Sequence, residues 1–106
     1  MINESRMEAA LEFLASTDKD CAELKAQVSR LEYACKLARA RMFLVSEEKS
    51  VEAKKADAER SHDVQEAEDR LAEGIAAFES MKAQRTTAEI TCDLWRTEAA
   101  NQRAAA

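Results

Sequence analysis

Apolar positions in the first half of the chain recur in steps that alternate between three and four: Met7, Ala10, Leu14, Thr17, Cys21, Leu24, Val28, Leu31, Cys35, Ala38, Met42 and Val45. This is the spacing of one face of a coiled-coil helix. A second stripe with the same alternation runs through Val64, Ala67, Leu71, Gly74, Phe78, Met81, Arg85, Ala88, Cys92, Trp95 and Ala99. Between the stripes, residues 46–50 are polar, and the apolar members of residues 51–60 are mostly alanine. The pattern predicts helices at about 5–46, 51–60 and 62–103. The last few residues are expected to fray.

Capping signals mark the same boundaries. Asn3 and Ser5 are candidate N-caps of the first helix, and Glu8 stands three residues after Ser5, as in a capping box. Ser50 suits the start of the short helix and Ser61 the start of the third, with Asp63 in its first turn. Thr17 is also a cap candidate, with Asp20 at its N3 position, so a break at residues 16–18 competes with a continuous helix. The unchanged heptad phase through Ala10, Leu14, Thr17 and Cys21 favours continuity.

Two long helices with a short connection predict an all-α fold. The expected form is one coiled-coil-like, antiparallel helical hairpin over residues 1–106 with a short connecting helix. A register in which facing numbers sum to 109 pairs Val45 with Val64, Leu31 with Phe78, Val28 with Met81, Cys21 with Ala88, Thr17 with Cys92 and Leu14 with Trp95. Leu24, Val28, Leu31, Leu71, Phe78, Met81 and Trp95 would carry the seam. Gly74 would admit a close approach beside Cys35. Arg85 would lay its stem along Leu24 and turn its head towards Glu23.

Tyr33, Leu37 and Leu44 form a second apolar stripe off this seam, and Ile90 and Leu94 form another. The short helix is expected to cover the first group. Only a break near residues 5–15 would cover the second. A lone pair of helices buries too little surface to be stable, so self-association into a four-helix-bundle dimer is the natural expectation. Together with Arg96, these five apolar residues make the candidate interaction surface. Trp95 is placed in the seam.

Composition narrows the picture. One glycine and no proline argue against sheets and tight turns. Of the hydrophobic residues, 22 are alanine and only 24 are large, which suits a slender seam rather than a globular core. The net charge of −5 favours protein partners over phosphate backbones. No apolar run is long enough to span a membrane, no secretory leader is visible, and a cytoplasmic location is expected.

No catalytic constellation stands out, and no enzyme activity or cofactor is expected. The carboxylates are spaced as solvated helix faces. Cys21, Cys35 and Cys92 lack metal-ligand spacing and fall on the stripes, as small core residues do. One Glu-x-x-His can be read at Glu59–His62, but the chain has no second histidine to complete a helical di-metal site. Lys36, Arg39, Arg41, Lys54, Lys55 and Arg60 form a basic cluster that would touch phosphates if it stayed free.

Phe78-Glu79, Lys82–Arg85, Ala88-Glu89-Ile90, and above all Trp95-Arg96-Thr97 with Asn101 and Arg103, resemble a family of small helical proteins encoded by tailed phages and prophages. Leu14–Leu24, Arg41–Leu44 and Ser50-Val51 fit the same pattern, although Lys49 stands where similar sequences have glycine. The resemblance implies a phage or prophage product of unknown function in a bacterial host, from a region near recombination genes. The expected function is a non-enzymatic helical protein–protein interaction module, a homodimer or a binder of a host or phage protein. The alternative is an accessory recombination or nucleic-acid-associated factor, or an inhibitor of a host nuclease.

Overall fold

The computed structural model describes residues 1–105, and among them all regular structure is helical. Helix α1 spans Glu4–Val45, α2 spans Val51–Arg60 and α3 spans His62–Ala105. Asn3 caps α1: its Oδ1 accepts the Arg6 backbone N–H at 2.8 Å. Ser5, the other candidate, lies inside the first turn.

The chain does not break at Thr17. The Thr17 hydroxyl donates back to the Phe13 carbonyl at 2.7 Å, and Ser16 donates to the same carbonyl at 3.2 Å. Both hydroxyls are used inside the helix instead of capping a new one. Ser50 and Ser61 cap as expected, with Oγ accepting from Ala53 N–H at 3.1 Å and from Val64 N–H at 3.2 Å. Helix α3 continues to Ala105, past the expected end near 103.

The chain forms two compact units. The first joins Met1–Glu23 to the part of α3 from Glu79 onward; the second is Leu24–Phe78. In the first unit the two helices run antiparallel, since Ile2 N–H donates to Glu98 at 3.0 Å while Arg85 meets Thr17 and Asp18. Ala10, Ala88 and Cys92 make its buried core, with Leu14 packed against them. Small side chains at these positions let the backbones approach closely.

In the second unit α1 and α3 are again antiparallel, with Leu31 against Gly74 and Arg39 bonded to Glu68. Cys35, Ala58 and Val64 are buried there, and Val64 is 0% exposed.

The register differs from the expected one. Arg85 bonds Thr17, and their numbers sum to 102, one heptad away from 109. Gly74 faces Leu31 rather than Cys35, one turn earlier on α1. Val45, expected opposite Val64, is 67% exposed. Ala88 and Cys92 pack with Ala10 and Leu14 rather than with Cys21 and Thr17. The cause lies in the connection. The last turns of α1 are occupied by α2: Arg39, Ala40 and Phe43 border a cleft with Lys55, Ala58 and Glu59. Ser46 adds two ties, donating from Oγ to Asp57 at 2.8 Å and accepting Lys54 Nζ on its carbonyl at 3.0 Å. A tight hairpin would leave no room for α2 there, so α3 begins further back along α1: Leu31 meets Gly74 and Arg39 meets Glu68, four and two short of the expected sum.

Despite this shift, both stripes face inward. Every member of the second is buried or half-buried, and so is every member of the first except Val45.

Candidate interaction surface

Each unit holds one charged node that its helices are built around. In the second unit Arg39 reaches from α1 to both neighbouring helices. Its Nε donates to Glu59 Oε1 on α2 at 2.5 Å, and its Nη2 donates to Glu68 on α3. These bonds hold the Arg39 guanidinium firmly protonated. They also hold the Glu59 carboxyl below its ordinary range, with the hydrogen bond to Arg39 as the main cause. Beside the node, burial pushes the Cys35 thiol up, aided by Glu68, opposed by Arg39 and aided again by Glu32. A protonated buried thiol is a packing group and a poor nucleophile. All three cysteines are free.

In the first unit the seam position Arg85 is satisfied in an unexpected way. Its Nη1 donates to the Leu14 carbonyl at 2.9 Å and to Thr17 Oγ1 at 2.7 Å, and its Nη2 donates to Asp18 at 2.5 Å. Glu23, the expected partner, instead stands 4.0 Å from Lys19. Thr17, a member of the first stripe and a cap candidate, supplies the hydroxyl acceptor that makes an inward arginine tolerable. The coupling was visible only as two polar residues breaking two apolar stripes.

The residues singled out for interaction are exposed. Tyr33 is 67% and Leu44 78% exposed, with Leu37 also open, all on α1 in the second unit. The short helix does not cover them. Its apolar side chains are three alanines and the exposed Val51, of which only Ala58 is buried, and Lys54 lies over the Phe43 ring at 5.9 Å instead. Ile90 and Leu94 are exposed in the first unit, and because α1 is unbroken, residues 5–15 do not fold over them. Arg96 pairs loosely with Asp93 at 3.6 Å, both well exposed. Trp95 is half-buried on the seam side. Among the other exposed apolar residues, Leu11 and Ile75 escaped the sequence reading because each looks isolated when only the heptad is followed.

The basic cluster does not stay together as a free patch. Arg39 is spent on two carboxylates, Lys54 on the Ser46 carbonyl and Phe43, and Arg60 stands 3.7 Å from Asp57. Lys36, Arg41 and Lys55 are left without an ion pair among the described residues. The Glu-x-x-His pair also separates: Glu59 goes to Arg39, while His62 stands 3.5 Å from Glu66. Among the described residues no three His, Cys, Asp or Glu side chains gather as metal ligands. No helix in the described residues is long and apolar enough to cross a membrane.

A cleft of about 480 Å³ between α1 and α2 is lined by Arg39, Ala40, Phe43, Lys55, Ala58 and Glu59. Its floor is Phe43 and the alanines, and its ionic rim is already neutralised at Arg39 and Glu59. No protein-family model, curated protein or solved structure matches the chain.

Proposed function

We propose that this chain is a non-enzymatic helical protein–protein interaction module that assembles as a four-helix-bundle homodimer. The observation that carries the reading is the exposed row Tyr33, Leu37 and Leu44, placed at helical spacing on one face of α1. A row of large apolar side chains left open on a small helical unit is the usual mark of a partner surface. The phage or prophage setting, in the cytoplasm of a bacterial host, rests on the resemblance of the residues around Trp95 and is part of the proposal. The engagement of Arg39, Lys54 and Arg60 within the chain weighs against the alternative of direct nucleic-acid contact, because it leaves only Lys36, Arg41 and Lys55 of the basic cluster to neutralise phosphates.

Light scattering of the wild-type chain across a concentration series, beside Tyr33→Ser/Leu37→Ser/Leu44→Ser, tests the reading. The wild type is expected to dimerise and the triple variant to be a monomer of unchanged helicity. A wild type that stays monomeric throughout removes the homodimer. Salt-sensitive DNA binding by that monomer would replace the reading with the alternative.

A further inference from the structure

The cleft between α1 and α2, which lies wholly within the second unit, is left open by a mismatch in size. Phe43 is the one large apolar side chain in its lining, and it is only half-buried. The other apolar members, Ala40 and Ala58, are too small to fill the space beside the ring, and about 480 Å³ remains. Ala40, Lys55 and Glu59 are exposed, so this is a groove open to solvent and not a closed cavity. A small molecule in such a groove keeps much of its surface wet. A side chain brought by another helix is covered by the backbone that carries it.

The charges around the groove are unbalanced. Its lining holds one carboxylate, Glu59, and Arg39 consumes it through bonds of 2.5 Å and 3.5 Å. The rest of the Arg39 guanidinium goes to Glu68 on α3. Lys54 lies over the Phe43 ring, but the Ser46 carbonyl holds its ammonium at 3.0 Å. Lys55, in the lining, makes no ion pair among the described residues. Lys36 stands four places before Ala40, on the same side of α1, and makes none either. The next carboxylate along that side, Glu32, is a further turn away. Two free ammonium groups from two helices therefore border an apolar floor whose own acid is already spent.

We propose that this groove seats an amphipathic, acidic helix of a partner protein. Such a helix lays a large aliphatic side chain beside Phe43 and brings carboxylates to Lys36 and Lys55. It supplies the two things the groove lacks, volume at the ring and negative charge at the lysines. A basic helix is disfavoured, because Glu59 is bonded to Arg39 and the two lysines repel it. The groove is built from residues other than the exposed row Tyr33, Leu37 and Leu44, so it stands independently of the homodimer.

Fluorescence anisotropy on the full chain tests this with a labelled, alanine-based helical peptide carrying leucines at i and i+4 and glutamates on both flanks of that pair. The wild type is expected to bind it. A peptide with alanine for both leucines, and one with lysine for the glutamates, should each bind about tenfold more weakly or worse. Lys36→Glu/Lys55→Glu should reverse the preference and take the lysine peptide over the glutamate one, an outcome that misfolding does not produce. Ala40→Leu fills the groove from an exposed position; it should lose both leucine peptides while circular dichroism shows unchanged helix. Tyr33→Ser/Leu37→Ser/Leu44→Ser should bind the glutamate peptide as the wild type does, whatever its oligomeric state. No binding by the wild type, equal binding of the acidic and basic peptides, or an unchanged preference after charge reversal overturns the proposal and leaves the homodimer untouched. Loss of peptide binding in the triple serine variant also overturns it, because the peptide then sits on the exposed row.

Discussion

The two units solve the same problem, a charge near a helix seam, with different means. In the first, Arg85 projects from the seam and is only 18% exposed, bonded to a backbone carbonyl, a threonine hydroxyl and an exposed aspartate. In the second, Arg39 sits beside the seam at 39% exposure and bridges two carboxylates on two other helices. Arg85 has its acceptors on one neighbouring helix and exchanges water for them at close quarters. Arg39 gains a third helix but keeps more of its solvent, so screening reduces the worth of its ion pairs. Exposure, more than the number of bonds, should therefore decide which arginine matters more for stability.

The largest effect is expected away from both arginines. Val64 is the one large side chain in the second unit that is fully closed off. Val64→Ala should cost about 2 kcal/mol through lost burial and an unfilled space, read as a shift of the urea midpoint. Hydrogen exchange would show whether the loss stays within the second unit.

Next comes Arg85→Ala, expected to cost about 1–3 kcal/mol by removing a half-buried stem and its bonds to Leu14, Thr17 and Asp18. Arg85→Met keeps the stem and should cost less than half as much, because the Leu14 carbonyl retains its helical hydrogen bond and the Thr17 hydroxyl still has Phe13. Equal losses for both variants would show that the polar bonds, and not the packing, hold the first unit.

Arg39→Met should lower stability at neutral pH by less than about 1 kcal/mol. Its pH signature is more telling. The Glu59 carboxyl is held below its ordinary value in the folded state. Its stabilisation is therefore present above the unfolded carboxylate pKa and is lost as pH falls through the depressed folded value. Acid should erode the wild type more than Arg39→Met across that window. Parallel acid profiles would remove the Arg39–Glu59 pair as a source of stability.

The smallest effects concern Gly74 and Ser50. A Cβ at Gly74 would stand 2.5 Å from Leu31 Cδ1, so alanine there forces the leucine to move. The gain in helix propensity, about 1 kcal/mol, should be offset by that repacking, leaving Gly74→Ala near neutral. In a Leu31→Val background the same change should stabilise, and a double-mutant cycle measures the difference. Ser50→Ala should cost about 1 kcal/mol or less, confined to α2.

Much of this architecture was legible in the residues. The three helices, their caps at Ser50 and Ser61 and the inward faces of both long helices follow from periodicity, because a side chain's position on a helix is fixed by its number alone. Continuity through Thr17 followed from the unbroken phase of the stripe. The same logic placed Tyr33, Leu37 and Leu44 off the seam, but the cover expected from the short helix is absent. That logic passed over Leu11 and Ile75, which belong to no stripe the reading followed.

What only the tertiary structure decided is how the stripes meet. A heptad repeats itself every seven residues, so sliding one helix by a heptad presents an equivalent apolar face. The sequence pattern cannot distinguish registers that differ by that step. The choice is made by the space that α2 occupies beside Phe43, and by the few atoms that fit only one alignment: Leu31 against Gly74, and Arg85 on Leu14 and Thr17. Periodicity set which side of each helix is dry; the connection and two non-repeating residues set which turn faces which.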